Sequence, residues 1–251
     1  MPAAYPFLMS ARRIHIAPPV IKQGGFFMSI FATEIIDEEW GNYFALTGVG
    51  YATLIAFMLA VLLLACVLGN SGKKKFNTKQ LVFSAVAMAL AMVTSMIKLF
   101  DLPMGGSVTL CSMLFICLIG YWYGLSGGLL AAVSYGFLQL IVDPYIISIP
   151  QMITDYILAF GALGLSGLFS GKKNGLVLGY LTGILGRFFF TFLSGMIFFG
   201  SYAESYHMTA PVYSFVYNGA YIGAEAVITV ILLMLPPVSK GLAKVKQMAQ
   251  Q

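Results

Sequence analysis

The stretch QMITDYILAFGALGLSGLF, residues 151–169, decides the fold class of this chain. It is apolar almost throughout and carries one ionisable side chain, that of Asp155. Similar segments recur along the 251 residues, of which 59% are hydrophobic and only 9% are charged. A helix needs about 20 such residues to cross a bilayer. The composition therefore excludes an ordinary soluble domain and predicts an all-α polytopic membrane protein.

Apolar segments long enough to be membrane spans are Phe44–Leu68, Leu81–Phe100, Val108–Tyr123, Gly127–Val142, Met152–Phe169, Leu176–Phe199 and Tyr213–Leu235. The first is uniformly aliphatic and is followed by a lysine-rich linker, residues 69–80. We therefore predict a six-helix core over residues 81–238 and one additional N-terminal transmembrane helix over residues 44–68. Small residues are frequent in the core, as close helix packing in lipid requires.

The first 27 residues differ from the rest because they are rich in proline and contain no apolar run long enough for a signal peptide. Codons for Gln23-Gly24-Gly25 can contain a ribosome-binding sequence ahead of Met28. Our hypothesis is that Met28 is the natural start and that residues 1–27 are a translated leader. Residues 28–43 then form an acidic extracellular lead-in.

Lysines predict the orientation in the membrane. They cluster in the linker, at Lys172 and Lys173, and in a basic tail, residues 239–251. These regions fall on one side of the predicted topology, whereas Asp101 and Asp143 fall on the other. The positive-inside rule places the C-terminus in the cytoplasm and the mature N-terminus outside. The basic excess thus reflects topology and does not indicate nucleic-acid binding.

Aromatic and small polar residues converge at the outer ends of three predicted helices. Thr191, Gly195 and Phe199 follow one helix face at i, i+4 and i+8. An acid at membrane depth is costly and usually faces a cavity, and aromatic faces favour a flat cation. We expect a pocket for a small, flat, positively charged molecule, formed by these three residues with Tyr145, Asp155, Tyr156, Tyr213 and Asn218. For any single tyrosine, a place in the interfacial aromatic belt is the alternative.

Two further charges lie near the middle of antiparallel spans, those of Arg187 and Glu225. An unpaired charge at that depth is costly. We therefore predict a structural Arg187–Glu225 ion pair, with a ligand role for either residue as the alternative.

The sequence argues against an enzyme. The motifs around Ser126 and Ser166 match the Gly-x-Ser-Gly pattern of intramembrane serine proteases, but such chemistry needs a general base. The histidines are His15, in the predicted leader, and His207, in an outer loop. The three cysteines lack metal-ligand spacing, and phosphate-binding and zinc-protease motifs are missing. We predict neither a catalytic residue nor a metal or cofactor.

Motifs over the second half of the chain occur in one characteristic order: Asp155-Tyr156-x-Leu-Ala-Phe, Arg187-Phe-Phe-Phe-x-Phe-Leu-Ser-Gly195 and Tyr213-Ser-x-x-Tyr217-Asn218-Gly219, followed by Glu225. From about Gln80 to the C-terminus, the chain resembles the thiamine-specific substrate-binding components (S components) of energy-coupling factor (ECF) transporters. The resemblance implies a thiamine-capturing subunit of a bacterial plasma membrane. Its partners would be a transmembrane coupling protein, which meets Ala85 and Ala89, and two cytoplasmic ATPases.

The resemblance also implies roles for single residues. The acid that recognises the aminopyrimidine falls on Asp155, beside Tyr156, and the other matching positions are Tyr145, Gly195, Tyr213 and Asn218. The family often has glutamate in place of Asp155, histidine in place of Thr191 and tryptophan in place of Phe199. A second tryptophan has no clear match, with Met104 nearest. These departures leave a thiamine precursor or related organic cation as an alternative ligand. An independent secondary transporter and an intramembrane hydrolase are the rival functions.

Overall fold

The computed structural model describes residues 20–22, 30–36, 43–53, 56, 77–102, 106–172 and 174–251. In order along the chain, its helices from residue 77 onward are α1 (Thr78–Ser95), α2 (Ser112–Val142), α3 (Ile149–Phe169), α4 (Gly175–Phe198), the short α5 (Tyr202–Ser205), α6 (Ala210–Met234) and α7 (Pro236–Gln250). Within the described residues, five of these helices are long and apolar enough to cross a membrane: α1, α2, α3, α4 and α6. The prediction of an all-α polytopic membrane protein is confirmed.

Helix α2 joins two segments that the sequence predicts as separate spans. The backbone leaves helical geometry at Gly124, where φ is +82° and ψ is −174°. A Cβ atom on Gly128 would lie 2.7 Å from the Cα atom of Gly120, although eight residues of straight helix span about 12 Å. The chain therefore reverses at Gly124, and α2 is two packed arms, residues 112–123 and 125–142. Glycine fits this turn because it adopts a positive φ without steric strain.

The helices pack in sequence order around the two arms of α2. Helices α1 and α3 contact α2, α4 packs on α3, and α6 packs on α4. Ile116, Cys117 and Leu163 are completely buried at the centre. Large apolar side chains on the outer faces are exposed, such as Leu185 and Val227. Such a surface fits lipid, because hydrocarbon solvates apolar side chains.

The N-terminal part contains an antiparallel sheet of strands β1 (Val20–Lys22), β2 (Ala32–Ile36) and β3 (Tyr43–Leu46). Strand β1 lies in the predicted leader, and β3 overlaps the start of the predicted extra helix. The structure differs from that prediction over residues 44–46, since their backbone pairs with β2. Residues 48–53 are helical. Most of the predicted leader, the remainder of the extra helix and the linker up to residue 76 lie outside the described residues.

An outer hairpin connects α1 to α2. It consists of β4 (Lys98–Asp101) and β5 (Ser107–Thr109), so the predicted second span ends five residues early, at Ser95. The Lys98 ammonium lies 3.0 Å from the Asp143 carboxylate and 3.4 Å from that of Asp101. Partial burial opposes the charge of Lys98, but its hydrogen bonds and ion pairs with these acids raise its pKa overall. The ion pairs tie the hairpin to the end of α2.

The predicted basic tail is a packed helix. In α7, the Lys246 ammonium donates to the Ser170 carbonyl at 2.7 Å and lies 3.6 Å from the centre of the Tyr121 ring. The Gln250 amide donates to the Trp122 carbonyl at 2.7 Å. Helix α7 therefore covers the end of the bundle that holds the Gly124 turn and the α3–α4 connection.

Candidate functional site

The part of α3 that faces the bundle interior is wider than a regular α-helix. Its backbone is π-helical over Ile153–Leu158, the turn that carries Asp155 and Tyr156. Single π-turns are frequent at functional sites. Gly136 of α2 lies against this turn, and a Cβ atom there would overlap the carbonyl oxygen of Tyr156. The glycine thus allows α2 to approach the wide turn.

Gln151 holds the Asp155 carboxylate in place. Its amide nitrogen donates to Oδ2 of Asp155 at 2.7 Å and to the Tyr145 carbonyl at 3.1 Å. Its amide oxygen accepts from the Ile147 backbone N–H at 3.1 Å. Gln151 is only 1% exposed, so these bonds fix both its own orientation and that of Asp155. The i, i+4 spacing of Gln151 and Asp155 could have indicated this contact from the sequence.

The hydroxyl group of Tyr156 is engaged with the backbone. It donates to the Asp143 carbonyl at 2.8 Å and accepts from the Tyr145 N–H at 2.7 Å. The hydroxyl therefore fastens the segment that carries Tyr145, whereas the ring of Tyr156 lines the adjacent cavity.

Two groups of aromatic rings stand on the outer side of the site. The rings of Tyr145 and Phe199 are stacked at 6.1 Å and 23°. On α6, Tyr213 and Tyr217 are stacked at 5.8 Å and 24°, and Tyr217 makes an edge contact with Tyr221 at 5.8 Å. Ring faces of this kind can stack on a flat heteroaromatic ligand and attract a cation.

Asn218 is already well bonded in the protein. Its amide nitrogen lies 3.2 Å from the Thr191 carbonyl and 3.0 Å from that of Ser214. Its amide oxygen accepts from the Tyr221 hydroxyl at 3.0 Å. One acceptor lone pair is left on that oxygen. Asn218 can therefore serve a ligand only by accepting a hydrogen bond, unless it gives up a contact with the protein.

Thr191 and Gly195 have local structural partners. The Thr191 hydroxyl donates within its own helix, to the carbonyls of Arg187 at 3.2 Å and Phe188 at 3.1 Å. A Cβ atom on Gly195 would overlap the Ser214 hydroxyl. Gly195 thus permits the close contact between α4 and α6, in addition to any contact with a ligand.

The structure differs from the predicted Arg187–Glu225 ion pair, which does not occur among the described residues. The Glu225 carboxylate instead accepts from the backbone N–H groups of Thr109 and Met113, both at 3.1 Å, and from the Thr109 hydroxyl at 2.6 Å. It also lies 3.3 Å from the Ser112 hydroxyl. These donors, at the end of β5 and the start of α2, satisfy the buried charge. The Arg187 guanidinium lies 4.1 Å from the centre of the Phe160 ring.

One cavity is lined by every residue predicted to bind the ligand: Tyr145, Asp155, Tyr156, Thr191, Gly195, Phe199, Tyr213 and Asn218. Arg187 and Glu225 line it as well. The structure brings these residues together from four elements that are distant in sequence; their contact with a ligand stays a prediction. Lining residues that the sequence analysis missed include Gln139, Gln151, Phe160, Ser194 and Tyr221. Tyr221 follows Tyr217 at i+4, so helical periodicity could have indicated it.

The motif around Ser166 serves helix packing, whereas Ser126, in the other motif, is exposed. Ser166 is fully buried, and its hydroxyl donates to the Cys117 carbonyl at 2.9 Å. A Cβ atom on Gly167 would overlap the backbone of Gly124. The glycines allow α3 to approach the reversal of α2, and Ser166 supplies a hydrogen bond there. Ser166 therefore offers no nucleophile to a substrate.

The fold and the site together define a class of protein. Membrane-spanning helices enclose a cavity with aromatic walls and a hydrogen-bonded carboxylate. These features are those of a substrate-binding subunit of a membrane transporter.

Comparisons with known proteins identify the family. The family model described as Thiamine transporter protein (Thia_YuaJ) matches residues 81–244. The thiamine transporter ThiT of Bacillus subtilis (strain 168) is 31% identical over 168 residues, which cover 61% of this chain and 85% of that protein. A solved structure of ThiT from Listeria monocytogenes matches with a TM-score of 0.52 and 27% identity, over 63% of this chain and 94% of that one.

The chain therefore belongs to the thiamine transporter protein family. The resemblance to thiamine-specific S components that the motifs indicated is confirmed. Because the family is one of transporters, the prediction that the chain is not an enzyme is confirmed as well.

Proposed function

We propose that this chain captures thiamine in the cavity between α3, α4 and α6 and delivers it to an ATP-driven ECF transporter for import. One observation carries the proposal. In a member of the thiamine transporter family, the carboxylate and the aromatic residues expected from sequence line a single cavity.

The charge of the cavity suits a cation. Its lining includes one guanidinium, that of Arg187, and three carboxylates: those of Asp155 and Glu225 and that of Asp143, which is paired with Lys98. Glu225 is occupied by its four donors, whereas Asp155 uses only Oδ2 in its bond with Gln151. Asp155 Oδ1 is thus the acceptor offered to the amino group of the pyrimidine ring. A charge-assisted bond of this kind is stronger than a neutral one.

The aromatic groups would hold the flat parts of the ligand. Tyr145 and Phe199 form one wall, and Tyr213 and Tyr217 form another. Phenylalanine stacks less strongly than tryptophan because its ring is smaller. A binding subunit for a thiamine precursor or related organic cation is the second candidate, since Phe199 and Thr191 depart from the family pattern.

Coupling to ATP hydrolysis would take place on α1. Ala85 and Ala89 are both exposed, in a row with the exposed residues Val82 and Val86. Small residues at i, i+4 let another transmembrane helix approach closely. We propose that the transmembrane coupling protein docks on this face and that two cytoplasmic ATPases drive the cycle. In the plasma membrane, the C-terminus and α7 would face the cytoplasm and the cavity would open outside, as the positive-inside rule requires.

Binding and uptake test the two parts of the proposal separately. Calorimetry on the detergent-purified chain measures thiamine binding, with a pyrimidine precursor alongside. Tight binding of the precursor and weak binding of thiamine would favour the second candidate. Binding of neither would contradict both.

Uptake into proteoliposomes tests the coupling. We expect accumulation only when the coupling protein, both ATPases and ATP are present. Ala85→Leu together with Ala89→Leu should abolish uptake but leave binding intact. Val227→Leu, an enlargement on the exposed face of α6, is the matched control. Accumulation without the partners would show an independent secondary transporter.

A further inference from the structure

Among the described cavity residues, the Ser194 hydroxyl and the Arg187 Nε atom are buried without a hydrogen-bond partner, and Ser194 is the neutral one of the two. It lies on α4 beside Gly195, lines the cavity and is only 1% exposed. Its hydroxyl oxygen is buried and has no hydrogen-bond partner among the described residues. Leaving a buried hydroxyl without a hydrogen bond costs about 1–3 kcal/mol. Such a group in a native protein therefore calls for an explanation, such as a bound ligand.

Serine and threonine inside helices usually bond to the carbonyl one turn earlier. Ser134 does so here, with its hydroxyl 2.8 Å from the Leu130 carbonyl, and Thr191 does so with Arg187. Ser194 makes no such bond. Its hydroxyl therefore remains available to a molecule in the cavity.

The neighbour of this hydroxyl is the carboxylate of Asp155. The Ser194 hydroxyl lies close to that carboxylate but completes no hydrogen bond with it. Gln151 occupies Oδ2, and Oδ1 makes no hydrogen bond with the described residues. The cavity thus presents an acceptor oxygen and a hydroxyl donor close together.

We infer that Ser194 is a ligand-binding residue. Its hydroxyl donates a hydrogen bond to a ring nitrogen of the ligand, and the amino group next to that nitrogen donates to Asp155. A flat heterocycle matches this pair when an amino group stands beside an unprotonated ring nitrogen. The aminopyrimidine of thiamine has such an edge. The inference rests on the proposed function. It adds Ser194 as the residue that hydrogen-bonds the ring nitrogen, while Asp155 hydrogen-bonds the amino group. The pair would select against rings that carry an oxo group in place of the amine, since two acceptors would then face each other.

The test compares two ligands on matched variants by calorimetry. The ligands are thiamine and its analogue in which the ring nitrogen next to the amino group is replaced by C–H. The variants are Ser194→Ala and, as the control for losing a buried serine hydroxyl outside the cavity, Ser134→Ala. We expect Ser194→Ala to weaken thiamine binding about three- to tenfold, the value of one neutral hydrogen bond, and to leave binding of the analogue unchanged. Ser134→Ala should leave the binding of both ligands unchanged.

Two results would overturn the inference while the proposed function stands. In one, Ser194→Ala binds thiamine as the wild type does; in the other, it loses affinity for both ligands equally. If Ser194→Ala does not fold, Ser194→Cys replaces the hydroxyl by a somewhat larger thiol that is a weaker donor, and the same selective loss is expected. Failure of the wild-type chain to bind thiamine would overturn the proposed function and this inference together, and it would be seen before any variant is measured.

Discussion

Replacing Asp155 by asparagine tests the centre of the proposed site with little change in shape. The asparagine oxygen can still accept from Gln151, whose amide nitrogen now lies 2.7 Å from Oδ2. The asparagine amide nitrogen then takes the place of Oδ1. The ligand would lose a charged acceptor and meet a donor facing its own amino group.

The size of the effect follows from that exchange. A hydrogen bond to a charged group contributes about 1.5–3 kcal/mol, and each 1.4 kcal/mol is tenfold in affinity. We therefore expect Asp155→Asn to weaken thiamine binding about 10- to 100-fold. The loss of attraction between carboxylate and cation acts in the same direction.

Calorimetry is the suitable assay, because Trp122, the one tryptophan among the described residues, lies outside the cavity lining. Asp101→Asn is the matched control, since its carboxylate is an exposed partner of Lys98. We expect the control to bind within about twofold of the wild type. Unchanged affinity in Asp155→Asn, with the protein folded, would refute the role of Asp155 and the orientation proposed for the pyrimidine.

Four other substitutions test the site and the helix packing around it. Glu225→Gln should lower the free energy of unfolding by about 2 kcal/mol or more, seen as a lower melting temperature in detergent, because buried donors lose a charged acceptor. Arg187→Met should change the free energy of unfolding by the same amount in the Glu225→Gln variant as in the wild type, within about 0.5 kcal/mol. A larger difference would indicate an ion pair between the two residues. Ser166→Ala should lower the melting temperature slightly, as loss of one buried hydrogen bond of about 1 kcal/mol predicts; loss of thiamine binding would contradict a packing role. Tyr156→Phe should weaken thiamine binding about tenfold, because two hydrogen bonds that hold the Tyr145 segment are lost; unchanged affinity in calorimetry would show that the segment needs no such anchor.

Local chemistry made several features readable from the sequence. The cost of exposing polar groups to lipid confines transmembrane segments to long apolar stretches, so the spans and their class could be predicted. Because a carboxylate at membrane depth is energetically costly, Asp155 could be predicted as a binding-site residue. Helical periodicity placed Thr191, Gly195 and Phe199 on one face, and all three line the cavity.

The sequence did not determine partners across the bundle. Arg187 and Glu225 lie at similar depth in the predicted membrane, which suggested an ion pair. Depth alone does not specify which part of a neighbouring helix approaches each charged side chain. The donors for Glu225 come from the end of β5 and the start of α2, more than 100 residues earlier in the chain. Such contacts depend on the crossing and rotation of whole helices.

What the sequence alone determined is the membrane class, the location of most core spans and the residue types around the ligand, because each depends on local polarity and spacing. Only the tertiary structure decided the chain reversal at Gly124, the π-helical turn at Asp155 and the absence of a hydrogen-bond partner for the Ser194 hydroxyl among the described residues. Each of these depends on how closely neighbouring helices approach. That distance is set by packing between segments far apart in the chain, and no local pattern records it.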